Sequence, residues 1–169
     1  MFDADPLRTA IQAYFDGQRR AAIIGGWISA VIIAAALIAV VKGDAFLRGL
    51  GLTIGVTALL IGGSGLSLAL RDERGLAVLL AGAPATIAAE TERMATVVSN
   101  YRYYRAAFLA IGALGLILLG LRFGPLCDGI SVGLLILAAI GLTIDHYDRQ
   151  VATTYFKALQ FSPVVGHSR

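Results

Sequence analysis

Four runs of apolar residues, at 21–41, 49–70, 106–121 and 130–144, constrain this chain more than any other feature of its sequence. The first two hold 21 and 22 residues, and at 1.5 Å per residue each crosses the roughly 30 Å hydrocarbon core of a bilayer. The last two hold 16 and 15 residues and need the flanking Tyr103, Tyr104, Leu126 and Cys127 to complete a crossing. Composition points the same way. The chain is 57% hydrophobic and 15% charged, with a mean hydropathy of +0.77, whereas about a quarter of the residues in a soluble domain are charged. The expected fold is all-α: one polytopic membrane domain over 1–169, with four transmembrane helices paired as two antiparallel hairpins.

The polar connections set the orientation. Lys42-Gly43-Asp44 makes one tight turn, and the segment 122–129, containing Gly124-Pro125, makes the other. Of the 14 Lys and Arg residues, only Lys42, Arg48 and Arg122 lie on the side of these turns. Arg8, Arg19, Arg20, Arg71, Arg74, Arg93, Arg102, Arg105, Arg149, Lys157 and Arg169 lie on the other. The positive-inside rule therefore puts both termini and the middle connection in the cytoplasm, with the chain in a bacterial-type inner membrane. The first twenty residues are polar and acidic, without the short apolar core and small-residue cleavage site of a signal peptide, so the first span reads as a retained anchor. The lone Cys127 excludes an internal disulfide and a cysteine metal cluster.

Three amphipathic stretches flank the spans, at about 6–18, 84–104 and 146–160. Asp5-Pro6 begins the first as N-cap and first helical residue, and Leu7, Ile11, Tyr14 and Phe15 share a face suited to the membrane surface. Arg71-Asp72-Glu73-Arg74 is expected to end the second span, leaving 75–83 too short to cross. After Pro84, the residues Ile87, Met94, Val97, Val98, Tyr101 and Tyr104 recur at helical spacing opposite Glu92, Arg93 and Ser99. Tyr101-Arg102-Tyr103-Tyr104-Arg105 is an interfacial belt of aromatic and basic residues. Since it adjoins an apolar run, it reads as membrane-facing, and no nucleic-acid partner is expected.

The second span carries the most pattern. Gly51, Gly55, Ala58, Gly62, Gly65 and Ala69 fall on one side of a helix, where small residues admit a second backbone. The first span carries Gly26, Ala30 and Ala34 at intervals of four, and this face is the expected partner of that seam. On the far side of the second span, Thr53, Thr57 and Ser64 make a weakly polar stripe. It suits a polar path in an oligomer, although such hydroxyls more often bond to their own helix.

Candidate chemistry is sparse. Gly62-Gly63-Ser64-Gly65 is similar to the G-x-S-G string around the serine of rhomboid-type intramembrane proteases, a match of four residues. The resemblance implies an intramembrane serine enzyme, but no histidine lies at the depth of Ser64, and His146 follows the fourth span. Asp145, His146 and Asp148 are neighbours that diverge by about 100° per residue on a helix, which is poor geometry for a metal. Asp145, at the membrane edge, is instead expected to pair with Arg71 or Arg105. No charged residue or histidine lies in the centre of any span, whereas proton-coupled pumps and many transporters depend on such groups. Neither metal nor cofactor is expected.

These features point to a non-catalytic membrane protein acting through helix packing and partner contacts, as an accessory subunit of a membrane complex or an immunity-type protein. The partner is another membrane protein or a second copy, with lipid around both. Met94, Tyr101, Tyr104, Arg105 and Asp145 are the expected contact residues. A small homo-oligomeric channel using Thr53, Thr57 and Ser64 is the alternative, and the serine enzyme a third reading.

Overall fold

The computed structural model describes residues 5–81 and 83–161, except for the side chains of 5, 6, 61, 64–75, 77 and 78. The described chain is helical apart from its turns. Helix α1 spans Asp5–Lys42, α2 Ala45–Leu80, α3 Pro84–Leu121 and α4 Pro125–Gln160. With 36 to 38 residues each, the helices are about 54–57 Å long, well beyond the roughly 30 Å of a hydrocarbon core. Over Leu7–Lys42, Pro84–Leu121 and Pro125–Gln160 the chain is long and apolar enough to cross a membrane. In α2 the described apolar segment is the shorter Ala45–Leu60.

Local chemistry explains where the helices break. Gly43 donates its N–H to Ala39 O (3.0 Å), and the Asp44 carboxylate then accepts the Leu47 N–H (2.9 Å), capping α2. Pro84 opens α3, its missing N–H harmless at the first helical position, while Thr86 and Ile87 donate to the Ala83 carbonyl. At the far end of α3, Arg122 adopts the left-handed conformation (φ 50°) and Gly124 has φ 116°. A side chain at 124 would be strained there, and Pro125 then starts α4.

In α1, α3 and α4 an amphipathic stretch and an apolar run are joined without interruption, and α2 is likewise continuous. The charged quartet 71–74, expected to end the second span, therefore does not end the helix. With no breaker before residue 81, α2 continues to Leu80, and Leu76, Leu79 and Leu80 pack against the other helices. The apolar face of 6–18, expected on the membrane surface, packs on protein instead. A continuous α1 carries that stretch on past its apolar run, where Ile11, Tyr14 and Phe15 are buried against protein.

In the apolar half, α1 packs on α2, α2 on α4 and α4 on α3, while among the described residues the backbones of α1 and α3 do not meet. Facing positions show the directions. Gly51 lies against Ala36, Ala39 and Val40, and Gly62 against Ser29, so α1 and α2 run oppositely. Phe108 covers Gly141, Gly112 faces Ala138 and Gly115 faces Ser131, so α3 and α4 do too. Helices α2 and α4 run in the same direction. Gly49 abuts the backbone of Leu126 and Ile130, Gly129 abuts that of Phe46 and Leu50, and Gly133 receives Thr53. At this crossing Gly49 and Gly129 meet the partner's main chain, an approach closed to any larger residue, while Gly133 meets the Thr53 side chain.

The other half, which we call the extension, comprises the helix ends away from the two turns. Here all four helices contribute to one core: Ile11, Tyr14 and Phe15 of α1, Leu79 of α2, Ile87 and Met94 of α3, and Ala152, Tyr155 and Leu159 of α4.

Candidate interaction site at the membrane boundary

The extension core holds a polar network. Tyr14 of α1 stacks on Tyr155 of α4, with ring centroids 4.2 Å apart and planes 10° from parallel. The Tyr155 hydroxyl donates to Glu90 Oε1 (3.4 Å), and Arg93 closes the carboxylate through Nε–Oε2 (2.7 Å) and Nη2–Oε1 (2.6 Å). Gln18 Nε2 donates to the Tyr14 hydroxyl (2.7 Å), and that hydroxyl donates weakly to Met94 Sδ (3.9 Å). The hydrogen bond to Glu90 raises the Arg93 pKa, and burial followed by the Glu90 charge raises that of Tyr155. The network therefore joins α1, α3 and α4. A satisfied buried network of this kind specifies one packing of the helices.

Nothing in the sequence pattern assigns Glu90 this role, yet a signal is present. It lies three residues after Ile87 and four before Met94, so it falls on the apolar stripe. Met94, expected to meet a partner, is 0% exposed and belongs to the core. An apolar side chain at helical spacing beside three other helices is buried within the molecule before it can serve a partner. Tyr101 is half-buried against the same core, its ring set edge-on to Tyr104 at 6.2 Å. Burial first, then the Asp148 charge, pushes the Tyr101 hydroxyl up to about 12. Asp148 in turn is raised, chiefly by desolvation and then by Asp145.

Tyr103 and Tyr104 are exposed at 59% and 52%. The Arg102 guanidinium lies 4.7 Å from the centroid of the Tyr103 ring and donates to its hydroxyl (2.9 Å). One turn further along, a cleft of about 170 Å³ opens between α3 and α4, lined by Arg105, Leu109, Leu142, Asp145, His146 and Arg149. Arg105 and Asp145 thus share a cleft. They form no ion pair with each other, unlike Arg93 and Glu90 in the extension core. The His146 ring is 3.1 Å from Gln150 Nε2 and stands edge-on to Tyr147. Among the described residues, no three His, Cys, Asp or Glu side chains gather as metal ligands.

The remaining expected residues separate into two sets. Gly51, Gly55 and Gly62 lie along α1 and Ala58 is buried, while Gly65, Ala69 and Ser64 fall among the side chains outside the described residues, as does Arg71. The face of α1 that α2 meets is Ser29, Ala36, Ala39 and Val40. Gly26, Ala30 and Ala34, expected there, are exposed on another side, and a methyl added at Gly26 would meet nothing within 4 Å. A helix in lipid is apolar all round, so small-residue spacing marks faces capable of close contact without marking which one is used. Thr53 donates to Gly49 O (3.0 Å) and Thr57 to Thr53 O (2.8 Å), so both hydroxyl protons are held by their own helix. Thr53 also packs on Gly133 of α4. The close-approach glycines of the α2–α4 crossing, Gly49, Gly129 and Gly133, are absent from the sequence-based expectation. The chain matches no family model, and neither a curated protein nor a solved structure is significantly similar to it.

Proposed function

We propose that the chain is a four-span protein of a bacterial-type inner membrane, built as two antiparallel hairpins with both termini and the extension in the cytoplasm. On this reading it is a non-catalytic binding protein, an accessory subunit or an immunity-type protein. It contacts a membrane-protein partner, or a second copy of itself, at the boundary between lipid and cytoplasm. The distribution of Lys and Arg supports the orientation. The observation that carries the function is the exposed Arg102–Tyr103–Tyr104 surface, mounted on a helix whose preceding turns are locked into the extension core. Exposed aromatic and arginine side chains on a rigid support are the residue types that dominate interface energetics.

Affinity capture from native membranes in mild detergent tests it. A stoichiometric partner, or a second copy, should be retained by the wild type and lost from Tyr103→Ser/Tyr104→Ser, with the melting temperature unchanged because both side chains are exposed. A wild type that is monomeric and alone overturns the proposal, as does a double variant that keeps its partner. Solute flux in liposomes that disappears in Thr57→Val would favour the channel reading instead.

A further inference from the structure

We infer that the cleft between α3 and α4 binds the phosphodiester headgroup of an anionic membrane lipid. The inference requires only that the apolar runs lie in hydrocarbon. It is independent of the partner-binding role and of which side of the membrane the extension occupies.

The cleft is amphipathic along the right axis. Leu109 belongs to the apolar run 106–121 and Leu142 to the run 130–144, so their end of the cleft faces the hydrocarbon. Arg105 precedes the first of those runs, and Asp145, His146 and Arg149 follow the second, so the polar end lies at headgroup depth. Antiparallel packing of Phe108 on Gly141 brings the two polar ends together. Two guanidiniums and a histidine surround a single carboxylate, leaving a net positive lining. Among the described residues neither Arg105 nor Arg149 has a hydrogen-bond or ion-pair partner within the chain. Guanidinium groups bind phosphate oxygens through paired, charge-assisted hydrogen bonds, and two of them at one opening can hold the two free oxygens of a phosphodiester. Asp145 would then accept from a headgroup hydroxyl, which a glycerol headgroup supplies. At about 170 Å³ the cleft suits the headgroup, with the acyl chains continuing past Leu109 and Leu142 into the bilayer.

The test uses the full chain purified in a neutral detergent and measures retained lipid by native mass spectrometry, with thermal unfolding alongside. Phosphatidylglycerol should be retained and should raise the melting temperature, whereas phosphatidylcholine and inorganic phosphate should not. Arg105→Gln/Arg149→Gln should weaken phosphatidylglycerol retention by at least about tenfold, the scale expected for losing charge-assisted hydrogen bonds. Arg149→Gln alone, at an exposed side chain without an intramolecular partner, should give a smaller loss in the same direction. Arg102→Gln removes the same charge one turn away from the cleft and should retain lipid as the wild type does. Equal loss in Arg102→Gln would reduce the effect to diffuse surface charge and overturn the site. Equal protection by inorganic phosphate would overturn the lipid assignment, and absence of retained phosphatidylglycerol in the wild type would overturn both.

Discussion

The two halves of the molecule are packed on opposite plans. In the apolar half the contacts belong to small residues: Gly49 and Gly129 on each other's helix backbones, Gly51 on Ala36, Gly62 on Ser29, Gly112 on Ala138. Its large side chains point outward, with Trp27 at 74% exposure and Ile23, Ile28, Leu60 and Ile117 also on the surface. In the extension the large side chains point inward, and Ile11, Met94, Tyr155 and Leu159 are almost entirely buried. On the proposed placement, with the apolar half in lipid and the extension in water, the difference follows from the surrounding solvent. Lipid tails are as apolar as leucine, so burying a large side chain there gains little, and helices associate where backbones can approach. In water the same burial contributes about 1.5–3 kcal/mol per large side chain, so aromatic and aliphatic groups go inside. The extension can also bury Glu90, because Arg93 and Tyr155 satisfy its carboxylate.

The sharpest way to break this comparison is to put a large residue at the α2–α4 crossing. Gly129→Leu should prevent recovery of folded protein, since its Cβ would run into the backbone of Phe46 and main chain cannot move aside. Gly26→Leu, where an added Cβ meets nothing, should leave the unfolding free energy in detergent within about 0.5 kcal/mol of wild type. Equal damage from both would mean that glycine content, and not the crossing, holds the apolar half together. In the extension the converse substitution is the damaging one. Leu159→Ala should cost about 3 kcal/mol in detergent-phase unfolding, by lost burial plus the cavity left behind, and Met94→Leu should cost under about 1.5 kcal/mol. A negligible cost for Leu159→Ala would show that the extension does not carry its own core.

The smallest expected effect is in pH dependence. Tyr101 keeps its proton up to about 12 in the folded protein, against 10.0 for an unburied phenol. The folded state therefore holds more protons between these values, and stability falls as pH rises through that window. Tyr155 acts in the same direction, so Tyr101→Phe should reduce the fall without removing it. Thermal unfolding compared at pH 9 and pH 11 reads this directly, and identical losses in variant and wild type would show that Tyr101 is solvated.

Periodicity alone makes several features legible. The face formed by Leu7, Ile11, Tyr14 and Phe15 is evident, but its use is not, because an apolar face suits lipid or protein equally well until the neighbouring helices are known. Glu90 sits in phase with Ile87 and Met94, yet a carboxylate on a stripe acquires meaning only when Tyr155, 65 residues later, reaches it. The spacing of Gly129 and Gly133 is visible too, but with 20 glycines in the chain small-residue spacing singles out no one crossing. The cleft residues come from two helices, and the sequence suggests Arg105 with Asp145 while leaving out His146 and Arg149.

The sequence by itself determined the class of the protein: an all-helical chain with runs apolar enough for a membrane, broken where Gly43-Asp44, Pro84 and Gly124-Pro125 interrupt the backbone. Those properties follow from composition, length and local backbone chemistry. The tertiary structure decided which sides of the helices meet. It selected Ser29, Ala36 and Ala39 over Gly26, Ala30 and Ala34, set Gly49 against Gly129, continued α2 past its charged quartet and enclosed Met94. In lipid every side of an apolar helix is equally well solvated, so the choice rests on how closely backbones from distant parts of the chain can fit together.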